Sequence, residues 1–319
     1  MVFDTENIKF SIAIPAYKGF YLREAIESCL AQTYRNFEVI IVDDASPENL
    51  RGIVEVYLKD PRIRFYRNEK NCGAVDVVDN WNICLGYCTG DYVICMGDDD
   101  RLIPTCLEDY AMLMDSYPGL GVYHAQTELI DENGTFYDIQ HPRPTWESAL
   151  SLLWNRWNGR DKQYIGDFCF YIKVLRKCKG FYKLPLAWAS DDITAVMAAS
   201  EKGIANTKRI GFQYRVNRYT ISKTGNIKEK IAAVIGERKW YENFLESYSV
   251  HSDLDEKYTT LIKRQLPEHF RLKIKALITT DMGQNACNVF HWILHRKQIG
   301  LSVVSIGDSW VTALKRRMK

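Results

Sequence analysis

Apolar runs alternate with amphipathic segments along the first hundred residues of the chain. Four runs have the β-branched and aromatic composition of strands: FSIAIPAY (10–17), FEVIIVDD (37–44), IRFYRN (63–68) and YVICMG (92–97). Between them, apolar residues recur at helical spacing, as in LREAIESCLAQ (22–32) and AVDVVDNWNICLGYC (74–88), and Ser46-Pro47 is a helix-start signal. Strand–helix repeats of this kind predict an α/β fold with a mostly parallel, Rossmann-like sheet flanked by helices.

After Pro104 the alternation becomes less regular. Two strand-like runs are joined by Asp-Glu-Asn-Gly (131–134), which is a hairpin turn signal. A Trp-rich helical stretch (146–157), strands at 168–172 and 211–216, and a helix near 193–202 follow, and from Asn226 onward nearly every segment is helical. The pattern predicts an α/β domain over residues 1–225 and a helical C-terminal extension over residues 226–319.

Polar side chains cluster where the predicted strands end. In an open parallel sheet, ligands bind beyond the carboxyl ends of the strands. These ends carry Pro15, Ala16 and Tyr17, then Asp43 and Asp44, then Arg67 with Asn71 and Gly73, and finally Asp98, Asp99 and Asp100. Tyr17 offers a flat face to a base, and the two aspartates after the second strand can accept hydrogen bonds from a base or ribose.

The three consecutive carboxylates predict a cation. Like charges crowded at a strand end repel one another unless a cation or hydrogen-bond donors lie between them. Asp98 and Asp100 are the expected ligands. Hard oxygen ligands without a nearby Cys or His favour Mg²⁺ or Mn²⁺, and such an ion would neutralise a diphosphate.

Each feature also has a purely structural interpretation. Asp43, Asp44, Asp191 and Asp192 could cap helices, since Asp is favoured at helix N-termini. The Asp98–Asp100 triplet could be a solvated loop, and Tyr17 could simply pack. The tryptophans at helical spacing, Trp146, Trp154 and Trp157, fit a core or an acceptor wall, and His124 fits a structural role better than a metal ligand. The functional interpretation rests on all these residues occurring together.

Charge is distributed unevenly along the chain. The net charge is +2 over 319 residues, but residues 1–256 carry −7 and residues 257–319 carry +9. FRLKIKALI and FHWILHRKQIG in this tail mix basic with apolar residues, which suits either peripheral contact with an anionic membrane or a helical cap with a solvated basic side. The tail has no nucleic-acid-binding motif, so no nucleic acid partner is expected.

Nothing in the sequence indicates export or a membrane span. The N-terminus MVFDTENIKF lacks a basic segment followed by an apolar one, and no apolar run approaches the ~18 residues of a span. We therefore expect a cytoplasmic protein, with peripheral contact with the inner face of the membrane as the alternative that its tail leaves open. The nine cysteines lie mostly within apolar patterns without paired spacing, which favours small buried hydrophobes over a zinc site.

Several segments together resemble one family. IPAY and VDDAS in the first two strands, NEKNCGAVDVVDNWNICLGYCTGDYVICMGDDDRLIP, VYHAQTELIDENG and KGFYKLPLAWASDD are similar to the inverting family 2 glycosyltransferases of the GT-A fold. The resemblance covers about residues 10–217 in consistent order. Any one of these pieces is a weak signal, whereas their combination and order are specific.

The resemblance implies a role for each matching position. Pro15, Ala16 and Tyr17 match the loop that contacts the base, and Asp43, with Asp44 beside it, matches the carboxylate that binds a uracil-type base. Asp98–Asp100 resembles the DxD motif, whose members hold the ribose and the metal. Asp191-Asp192 matches a Glu-Asp pair whose second member is the general base, and Tyr214-Arg215 matches a pair near the phosphates, so Arg215 is expected at the diphosphate.

One departure from the family affects the nucleotide site. Many relatives carry an Ala-Arg-Asn run whose arginine helps to bind the nucleotide, whereas this chain has Asp79-Asn80-Trp81-Asn82. Arg67 is the cation that could substitute for that arginine. Asp191 replaces the usual Glu, which leaves the identity of the base open within the pair.

The implied activity is inverting transfer from a UDP-sugar to a glycan or lipid-linked glycan, as in bacterial surface polysaccharide synthesis, with Mg²⁺ or Mn²⁺. The dTDP and GDP sugars stay open as donors.

Three alternative functions fit the sequence less well. A sugar nucleotidyltransferase usually has a Gly-rich phosphate loop after its first strand, which PAYKGFY is not. A phosphohydrolase with a nucleophilic Asp carries its DxD after the first strand, not the fourth. A non-catalytic sugar-nucleotide-binding relative would be expected to lose the metal carboxylates or the base.

Overall fold

The computed structural model describes residues 8–217 and 225–317. Contacts divide the chain into one unit of Met1–Lys183 with Ser190–Thr220 and a second of Leu184–Ala189 with Ile221–Lys319. The domain boundary expected after residue 225 stays a prediction. The first seven residues, on which the export argument partly rests, lie outside the described part.

The first unit consists of strands and helices in near-alternation. Its strands are β1 (Phe10–Ala16), β2 (Phe37–Asp43), β3 (Ile63–Arg67), β4 (Tyr92–Cys95), β5 (Arg101–Leu102), β6 (Val122–Ile130), β7 (Phe136–Ile139), β8 (Trp146–Glu147), β9 (Phe168–Tyr171) and β10 (Ile204–Arg215). Its helices are α1 (Leu22–Leu30), α2 (Leu50–Val54), α3 (Val77–Tyr87), α4 (Cys106–Ser116), α5 (Ala149–Trp157), α6 (Ile172–Lys177) and α7 (Ser190–Ala199). The predicted hairpin after β6 forms, because β6 and β7 pair antiparallel.

The strands form one mixed sheet in the order β3-β2-β1-β4-β9-β6-β10-β5, with β7 beside β6 and β8 beside β10. The four strands of the N-terminal half are parallel, as the sequence predicts. The sheet is mixed rather than purely parallel, because β9 inserts antiparallel between β4 and β6. The parallel expectation came from strand–helix repeats, and those repeats end near Pro104.

Burial explains why β1, β2 and β4 are mostly apolar, with Ser11 and Glu38 as buried polar exceptions. Every residue of β2 is buried, and β1 is buried except at Pro15. Helices cover both faces of a sheet of this type, so no face needs polar residues. The polar residues Asp43 and Asp98 therefore appear only where strands end, and the sequence pattern itself marks the site.

Two local features differ from the sequence-based assignments. The helix predicted to open at Ser46-Pro47 begins at Leu50, with Asn49 as its cap accepting from the Gly52 amide. Trp146 lies in the short strand β8, and the helix predicted to include it begins only at Ala149. Propensity does not fix such boundaries, since a pairing partner such as β10 can recruit two residues into a strand.

After residue 225, the described part of the second unit consists of helices joined by short loops. Its helices are α8 (Ile227–Ser247), α9 (Asp253–Gln284), α10 (Asn288–Leu294), α11 (Arg296–Ile299) and α12 (Val303–Arg317). The longest, α9, buries apolar residues at helical spacing, including Ile262, Leu266 and Phe270. No helix within residues 8–217 and 225–317 has both the length and the apolar composition needed to cross a membrane.

The segment that precedes α7 has an unusual backbone. Leu186, Ala187 and Ala189 all have positive φ values, of 62°, 51° and 64°. Residues other than glycine adopt this backbone conformation at a cost of about 1–3 kcal/mol each. Such strain is typical of functional sites, and here it lies directly before Asp191 and Asp192.

Candidate active site

Tyr17 and Arg67 are the accessible side chains at the ends of β1 and β3. The Tyr17 side chain is exposed, and the Ser46 hydroxyl donates to its carbonyl oxygen at 2.6 Å. Asp43 is fully buried, accepts from the Ser46 amide at 2.8 Å and is paired with the Arg67 guanidinium. Arg67 also donates to the Ser46 carbonyl at 3.0 Å. Asp43 thus holds the Arg67 side chain, half of which is exposed.

Asp44 holds the loop that follows β3. Its Oδ1 accepts from Asn68 Nδ2 at 2.8 Å and from the Cys72 amide at 3.0 Å. Asn68 donates in turn to Asn80 Oδ1 at 3.0 Å. Asn80 begins the Asn-Trp-Asn run in which this chain departs from most relatives, so that run supports the loop containing Asn71 and Gly73.

The second asparagine of that run anchors another loop. Asn82 Oδ1 accepts from the Phe181 amide at 2.8 Å, and its Nδ2 donates to the Phe181 carbonyl at 3.2 Å. Gly180 has a φ of +99°, and a Cβ there would lie 2.1 Å from Asn82 Oδ1. The close approach therefore requires glycine at this position.

The three carboxylates after β4 point to different partners. We call Gly97–Asp100 the carboxylate loop. Asp98 Oδ2 accepts from the Tyr17 and Lys18 amides, both at 2.7 Å, and so joins the loop to the end of β1. Asp99 Oδ2 accepts from Asn217 Nδ2 at 2.6 Å. Asp100 Oδ1 accepts from the Arg215 amide at 2.9 Å.

The other oxygens of Asp99 and Asp100 come together over Gly97. A Cβ on Gly97 would lie 2.9 Å from both Asp99 Oδ1 and Asp100 Oδ2, so glycine leaves the space that these oxygens occupy. Burial and the neighbouring Asp99 raise the pKa of Asp98 to about 6, and the same causes raise the pKa of Asp100 well above its usual range. Carboxylates in this state gain from a nearby cation.

The donor set fits Mg²⁺ or Mn²⁺ in part. No group of three His, Cys, Asp or Glu side chains is gathered into a complete cation site within residues 8–217 and 225–317. Mg²⁺ is usually held by one or two carboxylates together with substrate phosphates and water. Asp99 and Asp100 can supply the protein's share of such a shell.

Arg215 lies inside the protein. Its side chain is fully buried, and its guanidinium donates to the Asp99 carbonyl at 2.7 Å, to Glu24 Oε2 at 2.8 Å and to the carbonyls of Asp131 and Glu132. The ring of Tyr21 covers it at 4.0 Å. This geometry does not match the predicted diphosphate contact, because the guanidinium is directed at backbone and at Glu24. Arg215 instead anchors the carboxylate loop.

Asp191 and Asp192 form the first turn of α7. Asp192 is buried, and its Oδ1 accepts from Arg156 Nε at 2.8 Å and from Gln163 Nε2 at 2.6 Å. Asp191 accepts from the Asp192 amide at 2.9 Å. Burial and the adjacent Asp192 raise the pKa of Asp191 to about 8. This pKa favours the protonated form of Asp191 at neutral pH.

Tyr214 interacts electrostatically with both groups of carboxylates. Its ring stacks on Tyr164 with centroids 3.7 Å apart. Its phenol pKa is raised first by burial and then by the charges of Asp100, Asp99 and Asp191. The negative charges of the carboxylate loop and of Asp191 therefore act on the same phenol.

Some site residues carried no recognisable signal in the sequence. Arg156, Gln163 and Tyr164 come from a stretch interpreted only as Trp-rich helix and loop, and Asn217 follows the Tyr-Arg pair by two residues. Their roles depend on tertiary contacts. Lys18 directly follows Tyr17, and its positive charge opposes the rise in the pKa values of Asp98 and Asp99. Because Lys18 follows the end of β1, its position beside the carboxylate loop could have been inferred from the sequence.

The remaining candidates lie away from these contacts. His124 is fully buried with Nε2 3.5 Å from Asp167 Oδ2, and burial lowers its pKa. Trp146 is exposed and donates to the Lys202 carbonyl at 3.0 Å, while Trp154 and Trp157 lie partly buried on α5. None of them has a described contact with the carboxylate loop.

Known proteins share both the sequence pattern and the fold. The chain is 30% identical over 154 residues to the glycosyltransferase GlyG of Streptococcus pneumoniae, covering 47% of this chain and 50% of that protein. It is 33% identical over 137 residues to a glycosyltransferase of Rickettsia bellii, covering 42% of this chain and 19% of that protein. The matched part thus spans only about a fifth to a half of these relatives' lengths.

Solved structures show the same architecture at low identity. Residues 1–349 of Staphylococcus aureus TarS, in complex with UDP-GlcNAc, match with a TM-score of 0.65 at 15% identity, covering 96% of this chain and 90% of that one. The mannosyltransferase PcManGT of Pyrobaculum calidifontis, in complex with GDP-Man and Mn²⁺, matches with a TM-score of 0.52 at 13% identity, covering 97% and 86%. These likenesses confirm the predicted GT-A fold.

The family model of glycosyl transferase family 2 matches residues 11–180, which contain β1 through α6, including Asp43, Asp44 and the carboxylate loop. This match covers more than half of the chain. The chain belongs to glycosyl transferase family 2.

Proposed function

We propose that this protein transfers a sugar from a UDP-sugar to an acceptor hydroxyl with inversion at the anomeric carbon. The observation that carries the proposal is the arrangement around the carboxylate loop: Asp98 joins it to Tyr17, and the charges of Asp99, Asp100 and Asp191 all act on the Tyr214 phenol. A base platform, a cation-binding loop and a carboxylate pair suited to proton transfer thus occur together. The UDP-GlcNAc bound by TarS supports UDP as the nucleotide.

The nucleotide would bind at the ends of β1, β2 and β3. Tyr17 offers its exposed ring for stacking, and Arg67 offers a cation in place of the arginine found in many relatives. Asp43 and Asp44 are satisfied within the protein, so we assign them to shaping the base pocket through Arg67 and the loop after β3. Pro15 and Ala16 fix where Tyr17 emerges.

The carboxylate loop would hold a divalent cation through Asp99 and Asp100. Bound there, Mg²⁺ or Mn²⁺ would offset the negative charge that develops on the departing diphosphate. Asp98 would orient the loop against β1, since its Oδ2 is committed to two amides. Arg215 would hold the loop from beneath through the Asp99 carbonyl.

Transfer would proceed by one displacement. The Asp192 carboxylate takes the proton of the acceptor hydroxyl while the acceptor oxygen bonds to the anomeric carbon. The bond between that carbon and the diphosphate oxygen breaks, and the nucleoside diphosphate leaves from the opposite face. A single displacement inverts the anomeric configuration. A glycan or lipid-linked glycan of surface polysaccharide synthesis is the acceptor class we propose, on family resemblance.

A panel of sugar nucleotides tests the function. We expect the protein with Mn²⁺ to release nucleoside diphosphate from at least one UDP-sugar, and NMR of the transferred sugar to show the inverted anomer. Formation of UTP and sugar 1-phosphate from a UDP-sugar and added pyrophosphate would instead identify a nucleotidyltransferase. Tight nucleotide binding without turnover on any acceptor tried would identify a binding protein.

We further propose that the helical unit contacts an anionic membrane. Helix α10 buries Val289 and Trp292 but exposes Phe290 and Leu294, with side chains 68% and 77% exposed. Val303 and Val304 at the start of α12 are exposed as well. We call these four residues the apolar patch. The segment between Asp281 and Asp308 contains Arg296 and Lys297 but no acidic residue. Its positive charge complements an anionic lipid surface.

Vesicle sedimentation tests this contact. Wild-type protein is expected to bind phosphatidylglycerol vesicles at low salt and to dissociate as salt rises. The variant Phe290→Ser/Leu294→Ser/Val304→Ser should lose binding because the apolar insertion is removed, and Arg296→Gln/Lys297→Gln should weaken it. Met112→Ser, an exposed apolar residue of α4, is the matched control. Equal binding to phosphatidylcholine, or a patch variant that only changes oligomeric state, would contradict the membrane contact.

A further inference from the structure

Two side chains hold the candidate base from one short segment. We call this pair of side chains, Arg156 and Gln163, the clamp. Arg156, in the last turn of α5, donates through Nε to Asp192 Oδ1 at 2.8 Å. Gln163, seven residues later, donates through Nε2 to the same oxygen at 2.6 Å. Two donors on one oxygen fix the rotation of the carboxylate, which a single bond would leave free.

The clamp is itself anchored by a buried cation. Arg143 is 3% exposed, and its Nη2 donates to the Lys162 carbonyl at 2.8 Å and approaches Gln163 Oε1 at 3.4 Å. Arg156 Nη1 also donates to the Asp161 carbonyl at 3.2 Å. This bond joins the end of α5 to the loop that contains Gln163. The Gln163 amide therefore has its oxygen directed at Arg143 and its nitrogen at Asp192, which sets its orientation.

The clamp also supplies positive charge to the carboxylate pair. The described charged and titratable groups that act on Asp191 are Asp192 and Asp167, which raise its pKa, and Arg156, which lowers it; Asp191 in turn raises the pKa of the Tyr214 phenol. Among the described ion pairs, the cation that contacts Asp192 is Arg156, and one third of the Arg156 side chain is exposed. Removing its charge would favour protonation of the pair.

We propose that Arg156 and Gln163 are positioning residues of the transfer reaction: Gln163 aims the Asp192 carboxylate, and Arg156 both aims it and places a positive charge beside it. The inference rests on the proposed function, since it assigns the clamp to the same base. The two residues make two contributions to the base, orientation and charge, and different substitutions remove each of them.

Three variants and one control separate orientation from charge. Gln163→Leu removes a donor but no charge, so kcat should fall about 10- to 100-fold with the pH profile unmoved. Arg156→Gln removes the cation as well, so kcat should fall similarly and the acid limb should move up by about one pH unit. Arg156→Lys should return the acid limb toward its wild-type position. Arg160→Gln, an exposed arginine of the same segment, should change neither.

The titration of the pair gives a readout that does not require turnover. Carbon-13 NMR of protein labelled at the aspartate carboxyls, assigned with Asp191→Asn and Asp192→Asn, should show the pair titrating at higher pH in Arg156→Gln than in wild type or Arg160→Gln. An unmoved titration, or an equal shift in Arg160→Gln, overturns the charge role. An unchanged kcat in Gln163→Leu overturns the orienting role. Wild-type protein without transfer activity on any donor would reject the proposed function, while the titration would still decide the role of Arg156.

Discussion

Asp192→Asn is expected to lower the rate of sugar transfer by ~10²–10⁴-fold, the usual cost of losing a positioned general base. Asn keeps the size of the side chain and can still contact Arg156 and Gln163, so the fold of α7 should survive. Nucleotide affinity should stay nearly unchanged, because the proposed nucleotide site lies at the ends of β1 to β4. Initial rates of transfer and calorimetric binding of UDP measure the two effects separately.

Asp191→Asn is the matched control for this substitution. The folded-state pKa of Asp191 is about 8, raised by burial and Asp192 from an ordinary value of 3.8. Between these values the folded protein binds the extra proton, so stability is lost as pH rises through this window. Asn imitates the protonated acid, so Asp191→Asn should keep most of the transfer activity at neutral pH and be more stable than wild type above pH 8. If Asp191→Asn abolished transfer and Asp192→Asn did not, the two roles would be exchanged.

Asp100→Ala is expected to reduce transfer by at least roughly 10²-fold, because several kcal/mol of charge stabilisation at the leaving diphosphate would be lost with the cation. Removal of metal by EDTA should have the same effect on the wild-type protein, and Mn²⁺ should restore it. Isothermal titration with Mn²⁺ in the presence of UDP should show weakened cation binding in the variant.

Asp115→Ala, at an exposed position on α4, serves as the control for removing a carboxylate. Circular dichroism should show that both variants keep the fold, since Asp100 contributes one hydrogen bond to the Arg215 amide. Full activity of the wild-type protein in excess EDTA would exclude the cation from the mechanism.

The sequence was most informative where the chain is repetitive. Largely apolar runs separated by helical segments predicted β1 to β4 and their parallel pairing, since strands buried on both faces have few polar residues. The same runs marked their own ends, so that Tyr17, Asp43 and Asp98 could be named as candidates in advance. The position of β9 between β4 and β6 could not be predicted, because its four residues pair with strands far away in the sequence.

Contacts between distant segments account for the rest of the site. The clamp residues Arg156 and Gln163 are ordinary polar residues of a helix end and a loop until α7 brings Asp192 to them. Arg215 shows the converse case, since its sequence position suggested a phosphate ligand and its burial makes it an anchor. Sequence pattern identifies which residues are charged, whereas packing decides whether a charge faces substrate or protein.

The bonds of Asp98 to the Tyr17 and Lys18 amides have a thermodynamic consequence. One carboxylate belongs to both the loop that would hold the cation and the loop that would receive the base, so a ligand that orders either loop also orders the other. Such linkage is reciprocal: whatever factor the cation adds to nucleoside affinity, the nucleoside must add to cation affinity. Titration of Mn²⁺ with and without uridine, which has no phosphate to bridge the two, would measure that factor directly. The two halves of the donor site would then act as a single cooperative unit.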